Sequence, residues 1–262
     1  MVPLRTVLFL LIPWGACFGH DFWIEPSTFH PCAGELVGIG LRFGVGFAGE
    51  PFPRTFSHIA RFTMTCAGKS QEVMGLEGGN PAGLIQAETP GLYILAYESH
   101  PLRVDLPPDV LALYLRQEGL LGGLPSGGTV SAAHHPGYEW FTRCAKSVIR
   151  LGTSTQKGEA GRSLGLRFEI IPLQDPTLLC LGDSLQVRLL FEDQPVSGIL
   201  VSALNVGNLD SPQAIRTNTT GKTEFTLNHP GFWLIKAVHL FPGEGEESWR
   251  SYWASLTFDI GL

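Results

Sequence analysis

Residues 231–240, GFWLIKAVHL, decide the fold, because this mostly apolar run next to turn residues predicts a β-strand. Strand alternation puts Trp233, Ala237 and His239 on one side, which we expect to be core, and Lys236 marks the other side. A His-Pro-Gly turn signal precedes the run. The stretch therefore predicts a strand with one face in a hydrophobic core.

Similar runs recur through the C-terminal part of the chain, and turn residues separate them. Six or seven short strands at this spacing are typical of an immunoglobulin-like β-sandwich. The predicted strands are 166–171, 185–191, 199–206, 223–227, 231–240 and 252–260.

The preceding part of the chain is also predicted to be rich in strands, at 36–43, 59–64 and 92–97. Two short helices are expected to follow. Pro107-Pro108-Asp109 opens the first, with proline in the first turn and an acid near the positive end of the helix dipole. Residues 138–151 are predicted to form the second, because their apolar positions repeat at helical spacing.

These patterns predict a mainly β protein with two β-rich domains. The N-terminal domain covers residues 20–151 and ends in the two helices, and the immunoglobulin-like sandwich covers 166–262. Between them, residues 152–165, GTSTQKGEAGRSLG, are small, polar and typical of a linker. No period of twenty to fifty residues recurs.

The first nineteen residues read as a secretory signal peptide, with Arg5, a short apolar run over 7–13 and small residues over 15–19. An N-terminal anchor and lipidation at Cys17 are the alternatives. No later segment has the length of a membrane helix. The chain of 262 residues carries a formal charge of −6 without a Lys/Arg run, so nucleic acid is not expected as a partner. We expect a periplasmic or secreted protein.

Four cysteines remain after the signal segment, and none shows CxxC spacing. An exported chain with an even number of cysteines permits disulfides. Pairs Cys32–Cys66 and Cys144–Cys180 keep the links shortest, but three pairings are open and so are free thiols.

The sequence contains no recognisable catalytic set. Residues 44–49, GVGFAG, match GxGxxG, but Pro51 and Pro53 prevent the helix that a dinucleotide site needs, so a strand end or turn is predicted. HExxH and P-loop motifs are absent from the sequence. We therefore predict that the protein is not an enzyme.

His20 lies at the predicted cleavage junction. A cut after Gly19 would give His20 a free α-amine, which can chelate a metal together with Nδ1 of its ring. A cut after Cys17 would put His20 third from the free amine, also a copper and nickel chelating pattern. Nitrogen donors favour the later first-row divalent ions. The alternative is a histidine that only marks the start of the fold.

Several stretches resemble one bacterial family along most of the chain. Residues 20–26 (HDFWIEP), 41–50 (LRFGVGFAGE), 230–233 (PGFW) and 253–258 (WASLTF) are similar to motifs of a NikM-like exported family of unknown function, domain of unknown function 4198. That family is associated by analogy with periplasmic cobalt and nickel uptake. The resemblance implies a metal ion as partner, and a separate membrane transport partner, because this chain has no membrane span of its own.

We therefore expect an exported metal-binding protein for nickel, cobalt or copper, acting in uptake or delivery. His20 is the predicted anchor ligand, with His239 as the best second ligand and His100 or His58 completing the site. A non-metal β-sandwich module that binds a carbohydrate or a protein is the alternative from a different class. A histidine-brace mono-oxygenase is a more distant third.

Overall fold

A computed structural model describes residues 21–120, 137–152, 159–243 and 248–261. These residues form seventeen strands and one α-helix, so the predicted mainly β class is confirmed. The helix, α1, spans Pro108–Gln117 and begins with proline as predicted. The strands are β1 (Asp21–Pro26), β2 (Glu35–Val45), β3 (Ala48–Pro51), β4 (Ile59–Cys66), β5 (Lys69–Glu72), β6 (Gly83–Ala87), β7 (Gly91–Ser99), β8 (Leu102–Leu106), β9 (Gly137–Leu151), β10 (Phe168–Pro172), β11 (Ser184–Phe191), β12 (Gln194–Pro195), β13 (Leu200–Asn205), β14 (Asn208–Arg216), β15 (Lys222–Thr226), β16 (Gly231–Pro242) and β17 (Ser248–Ile260).

The strands build three sheets that stack as three layers. The central sheet has the order β14-β13-β16-β17-β9-β7-β4-β5, with β8 beside β9. The N-terminal sheet, β1-β2-β3 with β6 beside β2, covers one face of it. The C-terminal sheet, β10-β11-β12 with β15 beside β11, covers the other face.

The central sheet is buried on both faces where the outer sheets cover it. Alternate residues of β7 show this: Ile94 lies in the core beneath the C-terminal sheet, and Leu95 lies in the core beneath the N-terminal sheet. A third cluster, which includes Leu111 of α1 and Trp253 of β17, fills the face beside the N-terminal sheet. Helix α1 therefore packs on the same face as that sheet.

The helix predicted over residues 138–151 is wrong, because this segment is strand β9 in the middle of the central sheet, between β17 and β7. Cys144 and Val148 face the C-terminal core, and Ala145 and Ile149 face the N-terminal core. A strand buried on both faces has no polar side, so apolar residues can stand at any position along it. Some of these positions are three or four residues apart, which is also the spacing of a helix face. The tertiary structure thus overrides the periodicity.

The chain consists of two units with the same strand pairing. In the N-terminal unit, β1-β2-β3 with β6 faces β5-β4-β7-β9, and in the C-terminal unit, β10-β11-β12 with β15 faces β14-β13-β16-β17. Each unit is a sandwich of two four-stranded sheets, which confirms the immunoglobulin-like architecture of the C-terminal part. Strand β8 and helix α1 are inserted in the N-terminal unit between β7 and β9.

The turns before β2 and β11 repeat the same contacts in the two units. The amide of Cys32 donates to the Glu35 carboxylate at 2.8 Å, and the amide of Glu35 donates to the Cys32 carbonyl at 3.1 Å. Cys180 and Asp183 make the same two bonds at 2.8 and 3.0 Å. A glycine with positive φ stands inside each turn. The local resemblance supports the equivalence of the units.

The two units share the central sheet through the parallel pair β9–β17, with a stagger of one residue. Tyr97 pairs with Ala145, and its counterpart Ala237 pairs with Ala254, so the two alanines are equivalent. Ala254 nevertheless pairs with Cys144, one residue before Ala145. Paired residues point to the same face of the central sheet, but the two units carry their outer sheets on opposite faces of it. Equivalent residues of β9 and β17 must therefore be displaced from each other by an odd number of positions. A half-turn about an axis parallel to the strands, with a shift of one residue along it, relates β9 to β17.

Cys32, Cys66, Cys144 and Cys180 are free thiols in the structure. Cys32 and Cys180 are exposed in the two equivalent turns. Cys144 is buried in the C-terminal core, where desolvation raises the pKa of its thiol above its usual value.

The glycine-rich segment 44–49 forms the β2–β3 hairpin, as the turn interpretation predicted. Gly46 and Phe47 form its two-residue loop, both with positive φ. Gly49 lies against the ring of the fully buried Trp23, and a Cβ at this glycine would lie 2.3 Å from the ring atom Cη2. The pattern therefore serves backbone geometry and close packing.

Candidate functional site

The first described residue is anchored by buried charges. Asp21 begins β1 and is 3% exposed, and Nζ of Lys236 on β16 donates to its Oδ1 at 2.6 Å. The same ammonium donates to Oε1 of Glu118, just after α1, at 3.1 Å. Burial would lower the pKa of Lys236, but the carboxylates of Glu118 and Asp21 raise it. This triad fixes the start of β1 against α1 and β16.

Further polar and aromatic groups of the central sheet lie beside the triad. The Arg143 guanidinium stacks on the Trp253 ring at 4.3 Å, and the Arg143 amide donates to the Ser99 hydroxyl at 2.9 Å. Tyr97 contacts the Phe22 ring at 5.1 Å, and burial raises the pKa of this tyrosine. We call the region where these groups meet the N-terminal junction, formed by Asp21, Tyr97, Glu118, Arg143 and Lys236.

Ring contacts connect the predicted ligand His58 to the start of β1, and the predicted ligand His100 is a backbone neighbour of His58. His58 ends a short 3₁₀ turn before β4, and its ring centroid is 6.0 Å from that of Phe52. The Phe52 ring is in turn 5.5 Å from that of Phe22 in β1. The His100 amide donates to the His58 carbonyl at 2.8 Å. His58 and His100 are thus backbone neighbours, and ring contacts connect His58 to β1.

The His58 side chain has an unused donor or acceptor. Its Nδ1 is buried and has no hydrogen-bond partner in the described part of the chain. A buried ring nitrogen without a partner costs free energy, so it marks a position where a ligand would be stabilising. His100 is exposed, and the other predicted ligand, His20, lies outside the described residues.

His239 lies in a different environment. It is 8% exposed and, as predicted, faces the same core as Trp233 and Ala237. Its ring packs among Phe168, Phe191 and Phe241, with centroids 5.0 to 5.8 Å away. Burial lowers its pKa to about 4.

His239 and Lys236 point to opposite faces of the central sheet, because their positions on β16 differ by an odd number. The Asp21 carboxylate bonds to Lys236, so it lies on the face away from His239. The structure brings His58 and His100 together and leaves His239 apart from them. In the described ranges, no three His, Cys, Asp or Glu side chains are grouped so that they could hold a metal ion.

Sequence reasoning missed the groups that form the junction and a third buried acid beside it. Glu139 of β9 is buried, accepts from the Tyr114 hydroxyl at 3.3 Å and from the Ser251 hydroxyl, and burial raises its pKa. Asp21 and Lys236 are 215 residues apart, and no local pattern signals such a pair. The only sequence signal was the position of Asp21 inside the HDFWIEP motif.

A family profile described as a domain of unknown function, DUF4198, matches residues 17–240 of the chain. This chain belongs to the DUF4198 family. No curated protein matches the DUF4198 chain. None of its described helices is long and apolar enough to cross a membrane.

Among solved structures, this DUF4198 protein is similar to a segment of two fibronectin type III domains from chicken tenascin. The identity is 11%, the match covers 88% of this chain and 95% of that chain, and the TM-score is 0.21. It is also similar to the D0–D1 domain of intimin, with 11% identity, 92% and 98% coverage and a TM-score of 0.20.

Proposed function

We propose that this protein is an exported metal-binding protein of the cell envelope, which captures nickel, cobalt or copper for uptake or delivery. The proposal starts from His20, which directly precedes the anchored Asp21. Cleavage after Gly19 would give His20 a free α-amine beside its imidazole, a bidentate nitrogen chelate. The triad with Lys236 and Glu118 supports the proposal, because it holds the first residue after the chelate in one place.

The observation that carries the proposal is the unpartnered Nδ1 of His58 near the start of β1. A third nitrogen from His58, with His100 beside it, would complete a donor set that suits copper or nickel. His239 is left out of this set, because its side chain faces the opposite core.

The proposed mechanism is capture and transfer of the ion without covalent chemistry. Imidazole and amine bind metal only when deprotonated, so affinity should fall as pH drops through their pKa values, and a low local pH would favour release. A separate membrane transport protein would receive the ion.

The test begins with the mature N-terminus, determined by mass spectrometry of the exported protein. Calorimetric titrations with Cu²⁺, Ni²⁺ and Co²⁺ then compare the native protein with His20→Ala and His58→Ala. His239→Phe is the matched control, because it removes a histidine from the opposite face. We expect each of the first two substitutions to weaken binding by about tenfold or more, as loss of one ligand does. Equal affinity in the native protein and in His20→Ala would refute the proposal.

A further inference from the structure

One region of the central sheet extends beyond the C-terminal sheet and is open to solvent. On β9, Cys144 and Val148 are buried beneath the C-terminal sheet, but Trp140 on the same face is 39% exposed. Trp140 pairs with Arg103 on β8 and with Arg250 on β17. Paired residues point to the same face, so these three side chains stand in one row.

The row continues on β16, because Arg250 pairs with Phe241. Four adjacent strands at their normal spacing make the row Phe241–Arg250–Trp140–Arg103 about 14 Å long. Tyr138, on the same face two residues before Trp140, packs edge to face against it with centroids 6.5 Å apart. We call these five residues the platform.

The charges of the platform are positive. Arg250 is exposed, and the Arg103 guanidinium lies 4.3 Å from the centre of the Tyr138 ring, which holds the side chain flat against the sheet. Arg103 also bonds to Asp105 at 3.3 Å, but Asp105 is 84% exposed. Exposed ion pairs of this kind contribute little free energy, so Asp105 does not keep Arg103 from binding another anion.

We infer that the platform binds an acidic polysaccharide. The apolar C–H face of a pyranose ring would stack on the exposed Trp140 ring, and carboxylates of the polymer would pair with Arg103 and Arg250. Arg103 and Arg250 occupy the register positions on either side of Trp140, so carboxylates on the sugars before and after a stacked one would meet the two arginines. The net charge of −6 disfavours a nucleic acid, which relies on overall positive charge. The platform is independent of the proposed metal ligands.

Affinity electrophoresis of the native protein tests the inference. The gels contain polygalacturonate, hydroxyethylcellulose or no polymer, and EDTA is present so that metal binding cannot contribute. We expect retardation by polygalacturonate, weakened by added salt, and none by the neutral polymer. Retardation by neither polymer, or equal retardation by both, would overturn the assignment, and so would tighter binding to a DNA duplex than to polygalacturonate.

Variants identify the surface. Trp140→Ala should weaken binding to polygalacturonate by about tenfold or more, as truncation of a central tryptophan does at other interfaces. The double variant Arg103→Gln/Arg250→Gln alters only exposed side chains, so it stays folded and should lose retardation as well. Phe56→Ala, another exposed aromatic, is the matched control and should bind normally. Retention of binding by the double arginine variant would refute the inference whatever Trp140→Ala does.

Discussion

Tyr93 and Trp233 occupy the same place in the two units and make the same tether. The Tyr93 hydroxyl donates to the Thr89 carbonyl at 2.7 Å, and Nε1 of Trp233 donates to the His229 carbonyl at 3.0 Å. Each bond reaches back four residues, across the turn that begins the strand. Two different aromatic residues therefore fix the entry to equivalent strands, β7 and β16.

Removing these tethers should destabilise the protein to different extents. We expect Tyr93→Phe to lower the free energy of unfolding by about 1 to 2 kcal/mol, because the hydroxyl also accepts from the Thr89 amide at 3.0 Å and two hydrogen bonds are lost. Trp233→Phe should cost about 2 to 4 kcal/mol, because it also leaves a cavity in a fully packed core. Urea unfolding measures both values. Equal losses for the two variants would show that the tether and not the ring volume dominates at Trp233.

A buried ion pair connects β9 of the central sheet to β10 of the C-terminal sheet. Nζ of Lys146 donates to Oε1 of Glu169 at 2.9 Å, and each side chain is 1% exposed. The Glu169 carboxylate also accepts backbone amides, of which those of Leu164 and Gly165 are the nearest, at 2.9 and 3.0 Å. Burial alone would raise the pKa of Glu169, but Lys146 and these amides lower it.

Lys146→Met should lower the free energy of unfolding by about 3 to 5 kcal/mol at pH 7, because it leaves Glu169 buried without its cation. The stabilisation comes from ionised Glu169, so the difference between the two proteins should shrink as falling pH protonates this carboxyl, first in the variant, where burial raises its pKa, and last in the native protein, where Lys146 lowers it. Chemical unfolding at pH 7 and pH 3.5 checks both expectations. Lys69→Met, on an exposed strand, is the control and should change little. A difference that is constant with pH would contradict this account.

His239 should make the stability of the fold depend on pH. Its pKa is about 4 in the folded protein and about 6.5 when unfolded, so between these values the unfolded chain binds more protons. Stability should therefore fall as pH drops from 6.5 to 4, by up to about 3 kcal/mol from this residue.

His239→Phe fits among the surrounding phenylalanine rings and removes the titrating group. We expect the variant to lose this part of the pH dependence while it keeps a stability similar to the native protein at pH 7. Thermal unfolding with EDTA at half-unit steps from pH 7.5 to pH 4 measures it. If stability still falls with pH as steeply in His239→Phe as in the native protein, groups other than His239 cause the pH dependence.

The glycines of the β2–β3 hairpin should differ in their tolerance of side chains. Gly49→Ala places a methyl group against Trp23, which is fully buried and has no room to move, so a loss of about 1 to 3 kcal/mol is expected. Gly46→Asn is the matched control in the same hairpin. Gly46 has φ of 57° and open space around its Cα, a conformation that asparagine tolerates. Calorimetric melting that ranks the two variants in the reverse order would contradict the packing argument.

The sequence allowed the β class, nine of the seventeen described strands and helix α1 to be predicted, because turn residues and side-chain alternation are local signals. Strand β9 could not be predicted in this way. Its polar residue Lys146 is buried with Glu169, and its apolar residues serve two cores at once. A helical and a doubly buried strand pattern are indistinguishable over such a stretch.

The duplication was also hidden from the sequence. Pro90-Gly91 and Pro230-Gly231 each stand at the start of a predicted strand. The distance between these two turns is longer than the repeat periods typical of solenoids and propellers. Only the strand pairing shows that these turns are equivalent. Of the candidate ligands, the alternation correctly put His239 on a core face, and no local signal could show that His58 lies near β1.

The pairing of β9 with β17 has a consequence for any separated half of the molecule. Each unit ends its sheet with a long strand whose outer edge is satisfied only by the other unit. An excised half would expose that row of backbone donors and acceptors and would tend to recruit a neighbour. A second identical half, turned about the same axis, could supply it, so a free half should self-associate through the surface that the duplication now closes within one chain.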